Sequence, residues 1–198
     1  MPRLGLCETA SVSAPSDVPP LVAKTLDLSR KQGFITSTRN ETGRLLAALA
    51  ASRQGTLAEL GTGCGVGSAW LNSGLADGTK IVSAELDPSL AEKVQDIFAD
   101  TPAIEVISGD WSTLEQYAPF SLLFVDVREL KRSIDLVADL MAPGGIAVLD
   151  DFTPSQSWPP IYAGRVDTVR EQWLTDERFT AVDVMVTTDA SVIVATRR

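Results

Sequence analysis

Not one of the 198 residues is a histidine. That absence removes the Ser-His-Asp and Cys-His forms of nucleophilic catalysis, and with them the zinc sites built on imidazole nitrogen. Any metal has to be held by oxygen, which restricts the choice to Mg²⁺ or a similarly hard cation. Cysteine is scarce too: Cys7 falls in a tail and Cys64 in a glycine-rich loop. Two such thiols make no disulfide framework, and a reducing cytoplasm is the expected compartment. Apolar runs stop short of the roughly 18 residues that a membrane-crossing helix needs, so no membrane partner is expected. The first twenty residues lack the basic stretch and apolar core of a secretory leader. Positive charge is in the minority, 17 Lys and Arg against 26 Asp and Glu, for a net charge of −9. A nucleic-acid partner, whose affinity would rest on clustered cations, is therefore not expected.

What the chain does have is alternation. Residues 1–20, rich in Pro, Ser and Ala and ending in Pro19-Pro20, read as an arm. Helices are predicted over 21–32 and 39–53, the second carrying Leu45, Leu46, Leu49 and Ala50 on one face. Gly33-Phe34-Ile35-Thr36-Ser37 between them reads as a hinge and lid. Strand and helix then take turns: strand 56–60, helix 66–75, strand 80–85, helix 88–99, strand 104–107, strand 120–126, helix 129–141 and strand 144–150. Asp87-Pro88 supplies an N-cap and a first helical proline, and Pro143-Gly144-Gly145 is expected to end a helix. Helix 161–174, strand 179–187, a turn at Thr188-Asp189-Ala190 and strand 191–196 follow. Strands joined by so short a link are antiparallel, whereas the earlier alternation calls for a parallel sheet with helices on both faces. The expected fold is α/β: a doubly wound, mostly parallel seven-stranded sheet with a C-terminal antiparallel hairpin and N-terminal helices. One domain is expected, with an arm over 1–20, a helical cap over 21–54 and an α/β core over 55–198; 44% hydrophobic residues suit one core of that size.

The most informative segment is Glu59-Leu60-Gly61-Thr62-Gly63-Cys64-Gly65-Val66-Gly67-Ser68. A strand feeding a glycine-rich turn and a helix start is how α/β proteins hold nucleotides. A dinucleotide fold wants G-x-G-x-x-G. Counted from Gly61 the third glycine position holds Val66, and counted from Gly63 it holds Ser68, so neither register fits. The spacing E-x-G-x-G-x-G resembles instead the loop of class I S-adenosylmethionine-dependent methyltransferases. The resemblance implies S-adenosylmethionine as cofactor, with Glu59 near its methionine ammonium and Gly61, Gly63 and Gly65 packed against its amino-acid part.

In open α/β sheets ligands bind beyond the carboxyl ends of the strands. Glu85 ends the second strand, where a carboxylate can accept both hydroxyls of a ribose through its two oxygens. The resemblance gives it the same role, and Asp87 reads as a cap. After the third strand, the resemblance matches Asp110 to an acid that accepts from the adenine amino group and Trp111 to a bulky neighbour of the ring. The residues alone also allow Asp110 to cap a short helix starting near Ser112. The fourth strand ends at Asp126 and the fifth at Asp150-Asp151. In the sheet order that the resemblance implies, the fourth strand lies beside the first, so Asp126 would face the loop and the other two lie one strand further out. Three carboxylates so placed raise one another's pKa, and a divalent cation would relieve that.

This pattern is similar to the catechol and caffeoyl-CoA type of metal-dependent O-methyltransferase, which carries an Asp after the fourth strand and Asp-Asn after the fifth. The resemblance implies Mg²⁺ or another divalent cation at Asp126, Asp150 and Asp151. Asp126 is the expected catalytic residue; without metal, it or Glu129 could act as a base only for an acidic acceptor. Two positions depart from the pattern. Asp151 stands where the subgroup has Asn, and Glu129 stands at the place of its catalytic lysine, the nearest lysine being Lys131. The activity implied is methyl transfer to a small-molecule acceptor at oxygen, and the subgroup's usual assembly is a homodimer. Trp158, in the Pro-rich segment 152–160, and Phe34 are the expected acceptor walls, although Trp158 could equally pack on the following helix. Ile35, Thr36 and Ser37 occupy the place where the subgroup's N-terminal stretch touches cofactor. Two other functions stay open at this point. One is an NAD(P)-dependent oxidoreductase, weakened by the glycine register and by the lack of a Ser/Tyr/Lys or His proton-donor set. The other is a non-catalytic S-adenosylmethionine-binding protein, marked by Glu129.

Overall fold

A computed structural model describes residues 17–34 and 37–198; Cys7, most of the arm, and Ile35 and Thr36 of the hinge lie outside the described residues. Helix α1 (Pro20–Gln32) opens on its proline and closes on Gly33, whose left-handed φ of 64° lets its N–H reach back to the last turn. Next come α2 (Asn40–Ala50), β1 (Thr56–Leu60), α3 (Val66–Ser73), β2 (Lys80–Glu85), α4 (Pro88–Phe98) and β3 (Ile104–Ser108). A 3₁₀ helix at Trp111–Tyr117 leads to β4 (Phe120–Val125), and a 3₁₀ turn at Leu130–Arg132 leads to α5 (Ile134–Leu140) and β5 (Met141–Phe152). A small hairpin of β6 (Ile161–Tyr162) and β7 (Arg165–Val166) precedes α6 (Thr168–Thr175), β8 (Phe179–Met185) and β9 (Ser191–Arg197).

The main sheet has seven strands in the order β3-β2-β1-β4-β5-β9-β8. The first five pair in parallel, and β9 runs antiparallel to both β5 and β8. Strand order reverses between β1 and β4, which fixes where a ligand crevice opens. Alternate residues feed two cores. Leu57, Ile81, Leu122, Phe124 and Val148 pack under α1 to α4, together with all four of the apolar residues expected on one face of α2. Ala58, Leu60, Val82, Leu123, Val125 and Leu149 pack on the other face with α5 and α6. Helices α1 and α2 therefore lie over one face of the sheet. A Cβ on Gly43 would lie 2.2 Å from the Trp70 ring, so that glycine sets how closely α2 approaches α3. No helix among the described residues is long and apolar enough to cross a membrane.

Three expectations fail locally. Residues 129–141 form no continuous helix. The 3₁₀ turn stops at Ser133 (φ −105°, ψ 59°), and the carbonyl of Lys131 accepts the indole N–H of Trp173 at 2.7 Å instead of serving a helical ladder. Pro143-Gly144-Gly145 does not follow a helix either. It lies inside β5, where the register jumps from Phe120↔Met141 to Leu122↔Ile146 and the extra residues bulge out. Finally, the region 161–174 opens as the β6–β7 hairpin, because Ala163 and Gly164 both take positive φ (49° and 76°), as a tight hairpin turn requires. The helix starts only after Asp167, whose carboxylate accepts from the Arg170 N–H.

Candidate active site

Where the carboxyl ends of β1 to β5 meet, a cavity of about 500 Å³ opens. Its floor is the glycine-rich loop, with Gly61, Gly63 and Gly65 at φ of 94°, 53° and 82°. Such angles strain any residue with a Cβ. The loop is tied down by Thr62 N–H donating to Ala84 O (3.0 Å) and Gly65 N–H donating to Thr62 O (2.8 Å). Phe34 covers it so closely that a Cβ on Gly63 would lie 3.0 Å from the ring. Glu85 closes the β2 side: one oxygen accepts from Gly63 N–H at 2.8 Å, the other from Asp87 N–H at 2.9 Å. A carboxylate has about four acceptor positions, so each oxygen keeps one free toward the cavity. Asp87 caps α4, as expected. Beyond Glu85, Gly109, Asp110 and Trp111 form the far wall. Asp110 does cap the 3₁₀ helix, one oxygen accepting from the N–H and hydroxyl of Ser112 (2.8 and 2.5 Å), which holds its carboxyl below the usual range.

Glu59 and Gly65 lie outside the cavity wall. A Cβ on Gly65 would meet Val94 and Phe98 at 2.8–2.9 Å, so this glycine serves the packing of α4 on the loop. Glu59 is 1% exposed and lies under the loop, accepting the hydroxyl of Ser68. A Cβ on Gly67 would come within 2.0 Å of its Oε1, so that glycine makes room for the acid. Burial pushes Glu59 up to about 8; the Ser68 hydroxyl opposes this and the charges of Asp126 and Glu85 add to it.

Asp126 lines the cavity from the end of β4, beside the loop as expected. Burial, with repulsion from Asp150 and Asp151, raises it to about 8 against the pull of Lys131. Asp150 is 4% exposed; Thr42 Oγ1 (3.3 Å) and Asp151 N–H (2.8 Å) both donate to one of its oxygens. Burial raises it too. Asp151 turns outward at a positive φ of 59° and faces the Lys131 Nζ at 3.9 Å. Among the described residues no group of three acidic or thiol side chains is placed to hold a metal ion. One Asp150 oxygen is engaged in internal hydrogen bonds, and buried Lys131 places a positive charge beside Asp151.

A second cavity of about 270 Å³ shares Asp126, Arg128 and Asp151 with the first. Lys131, Arg132, Phe152, Thr153, Tyr162, Asp167 and Val169 complete it. Buried Arg170 braces its base, within 3.4 Å of Asp167 and 3.0 Å of Asp183, and bonded to Thr153 O. Trp158 lines neither cavity and is 64% exposed, which corrects both readings of it. Tyr162 takes the aromatic position, and only the hairpin turn at Ala163-Gly164 could have signalled it. Phe34 lines the first cavity, away from the second.

Residues 58–152 match the family described as a methyltransferase domain. No curated protein matches the chain in sequence. Among solved structures, an O-methyltransferase from Bacillus cereus in complex with SAH is 20% identical, with 94% of each chain covered and a TM-score of 0.72. The O-methyltransferase TomG from Streptomyces achromogenes, involved in tomaymycin synthesis and in complex with SAM, is 22% identical, with 92% of each chain covered and a TM-score of 0.72. A methyltransferase from Geobacter sulfurreducens is 19% identical, covering 93% of this chain and 91% of its own, with a TM-score of 0.73.

Proposed function

We propose that this chain, a methyltransferase of the class I fold, moves the methyl group of S-adenosylmethionine onto an oxygen of a small-molecule acceptor. One observation carries the reading: Glu85 is hydrogen-bonded to Gly63 N–H, so the ends of β1 and β2 form one continuous cradle along the larger cavity. The open acceptor positions on both Glu85 oxygens suit a ribose, and the wall of Asp110 and Trp111 suits the adenine, with the second Asp110 oxygen left for its amino group. The amino-acid end then lies over Gly61 and Gly63 near Asp126, with Glu59 favouring its ammonium from beneath the loop. The solved relatives bound to SAH and SAM support this fit.

Bound there, the donor supplies an activated methyl group, whose bond to sulfur breaks as one to the acceptor oxygen forms. The protein's share is alignment and exclusion of water, which contributes several kcal/mol by positioning alone. Asp126, shared by the two cavities, takes the acceptor's hydroxyl proton at its carboxylate. A raised pKa of about 8 makes it a stronger base than an ordinary carboxylate, near the value that general-base catalysis at neutral pH favours. Calorimetric titration with S-adenosylhomocysteine tests the reading. Wild type should bind it, and Glu85→Ala should bind at least tenfold more weakly with unchanged circular dichroism. Full affinity in the variant, or none in wild type, would overturn the assignment.

A further inference from the structure

The chain carries a net charge of −9, yet Arg128, Lys131 and Arg132 fall within five residues and line one small cavity. Several other arginines find carboxylates: Arg39 meets Asp189 at 3.0 Å, Arg170 meets Asp183 at 3.0 Å, and Arg178 meets Asp135 at 2.7 Å. The carboxylates of this cavity are largely committed as well. Asp151 faces Lys131, and Asp167 is held by the buried Arg170. Asp126 stands at the boundary with the larger cavity. What remains is two guanidinium groups, those of Arg128 and Arg132, with no ion pair or hydrogen bond to any described residue. Both are exposed, and they put two unpaired guanidinium forks on one wall of the cavity.

We propose that the smaller cavity receives an acceptor bearing an acidic group, a carboxylate or a phosphate, which Arg128 and Arg132 clamp while the hydroxyl to be methylated lies at Asp126. The inference rests on the reading that the larger cavity holds the methyl donor. Guanidinium is the side chain whose planar fork matches these anions two bonds at a time. Phe152, Val169 and Tyr162 give the rest of the wall an apolar surface suited to a flat body. About 270 Å³ is small for a ligand pocket, which limits the acceptor to roughly one ring and its substituents. The anionic group also fixes which hydroxyl meets Asp126, so the same pair would set regiochemistry.

The test compares 3,4-dihydroxybenzoate and 4-hydroxyphenyl phosphate with the uncharged 3,4-dihydroxybenzyl alcohol by calorimetry. Each is titrated into wild type and into Arg128→Gln, Arg132→Gln and the double variant, with and without S-adenosylhomocysteine. Because the comparison is also made on the unliganded protein, a failure of donor binding is seen separately and leaves it standing. At least one acidic probe should bind wild type tenfold or more tightly than the alcohol, and that ratio should fall toward one in the double variant. Whichever acid binds better identifies the anion. Equal binding of acid and alcohol by wild type, no binding of either acid, or an unchanged ratio in the double variant would overturn the proposal.

Discussion

Replacing Glu59 with Gln isolates the energetics of the acid beneath the glycine loop. Its carboxyl titrates at about 8 in the folded protein against 4.5 for the ordinary group, chiefly because it is buried. The folded state therefore binds more protons than the unfolded chain between those values. Stability from this group is complete below pH 4.5, falls as pH rises, and levels off above about 8. At about 1.4 kcal/mol per unit, the full shift corresponds to on the order of 5 kcal/mol, and the part crossed between pH 5 and 8 to on the order of 3 kcal/mol. Gln cannot ionise, and its amide oxygen can still accept the Ser68 hydroxyl. Urea denaturation at pH 5 and pH 8 should show wild type losing on the order of 3 kcal/mol more than Glu59→Gln over that interval. Asp126 titrates in both proteins and largely cancels in the difference. Parallel pH dependence in the two proteins would refute the reasoning, since it would mean that Glu59 ionises as freely in the fold as in the chain.

Other substitutions probe separate parts of the argument. Gly63→Val puts a branched side chain at φ 53° and against Phe34, and should weaken S-adenosylhomocysteine binding at least tenfold while circular dichroism stays native. Trp173→Phe leaves the Lys131 carbonyl without its buried donor and should cost about 1–3 kcal/mol in chemical denaturation. Turnover, measured with and without EDTA and with added Mg²⁺, should be the same within error; a tenfold loss on chelation would reinstate the metal. A double-mutant cycle of Lys131→Met and Asp151→Asn should give a coupling of no more than about 1 kcal/mol, because the Asp151 side chain is 69% exposed.

The sheet was legible because its strands are short apolar runs bounded by glycine, proline and acids, and their parallel pairing followed from the alternation with helices. The cradle was legible for a similar reason: Gly61, Gly63, Glu85 and Asp126 sit at strand ends, where the chain position alone fixes the location. What could not be read was set by contacts distant in sequence. The break after Lys131 depends on an indole 42 positions away, and the outward turn of Asp151 depends on its own backbone at positive φ. The Pro-Gly-Gly bulge in β5 depends on Phe120 pairing with Met141, which no local pattern records. The hairpin at 161–166 misread as helix because Ala163 is a good helix former, while the left-handed pair it makes with Gly164 is decided by the turn. Glu59 is a subtler case: the motif identified the acid, but only the fold shows that it lies buried beneath the loop.

The two departures from the metal-dependent pattern, Glu129 and Asp151, make sense as one change. The 3₁₀ turn that begins after Glu129 leaves that residue exposed and carries Lys131 inward, 8% exposed, with its Nζ 3.9 Å from Asp151 and 5.8 Å from the centre of the Phe152 ring. The inward lysine places beside Asp151 a positive charge that is part of the chain. Burial and the neighbouring acids raise both Asp126 and Asp150, and Lys131 opposes the rise in each. The same arrangement leaves Arg128 and Arg132 unengaged on the wall of the smaller cavity, because neither is needed to neutralise the aspartates.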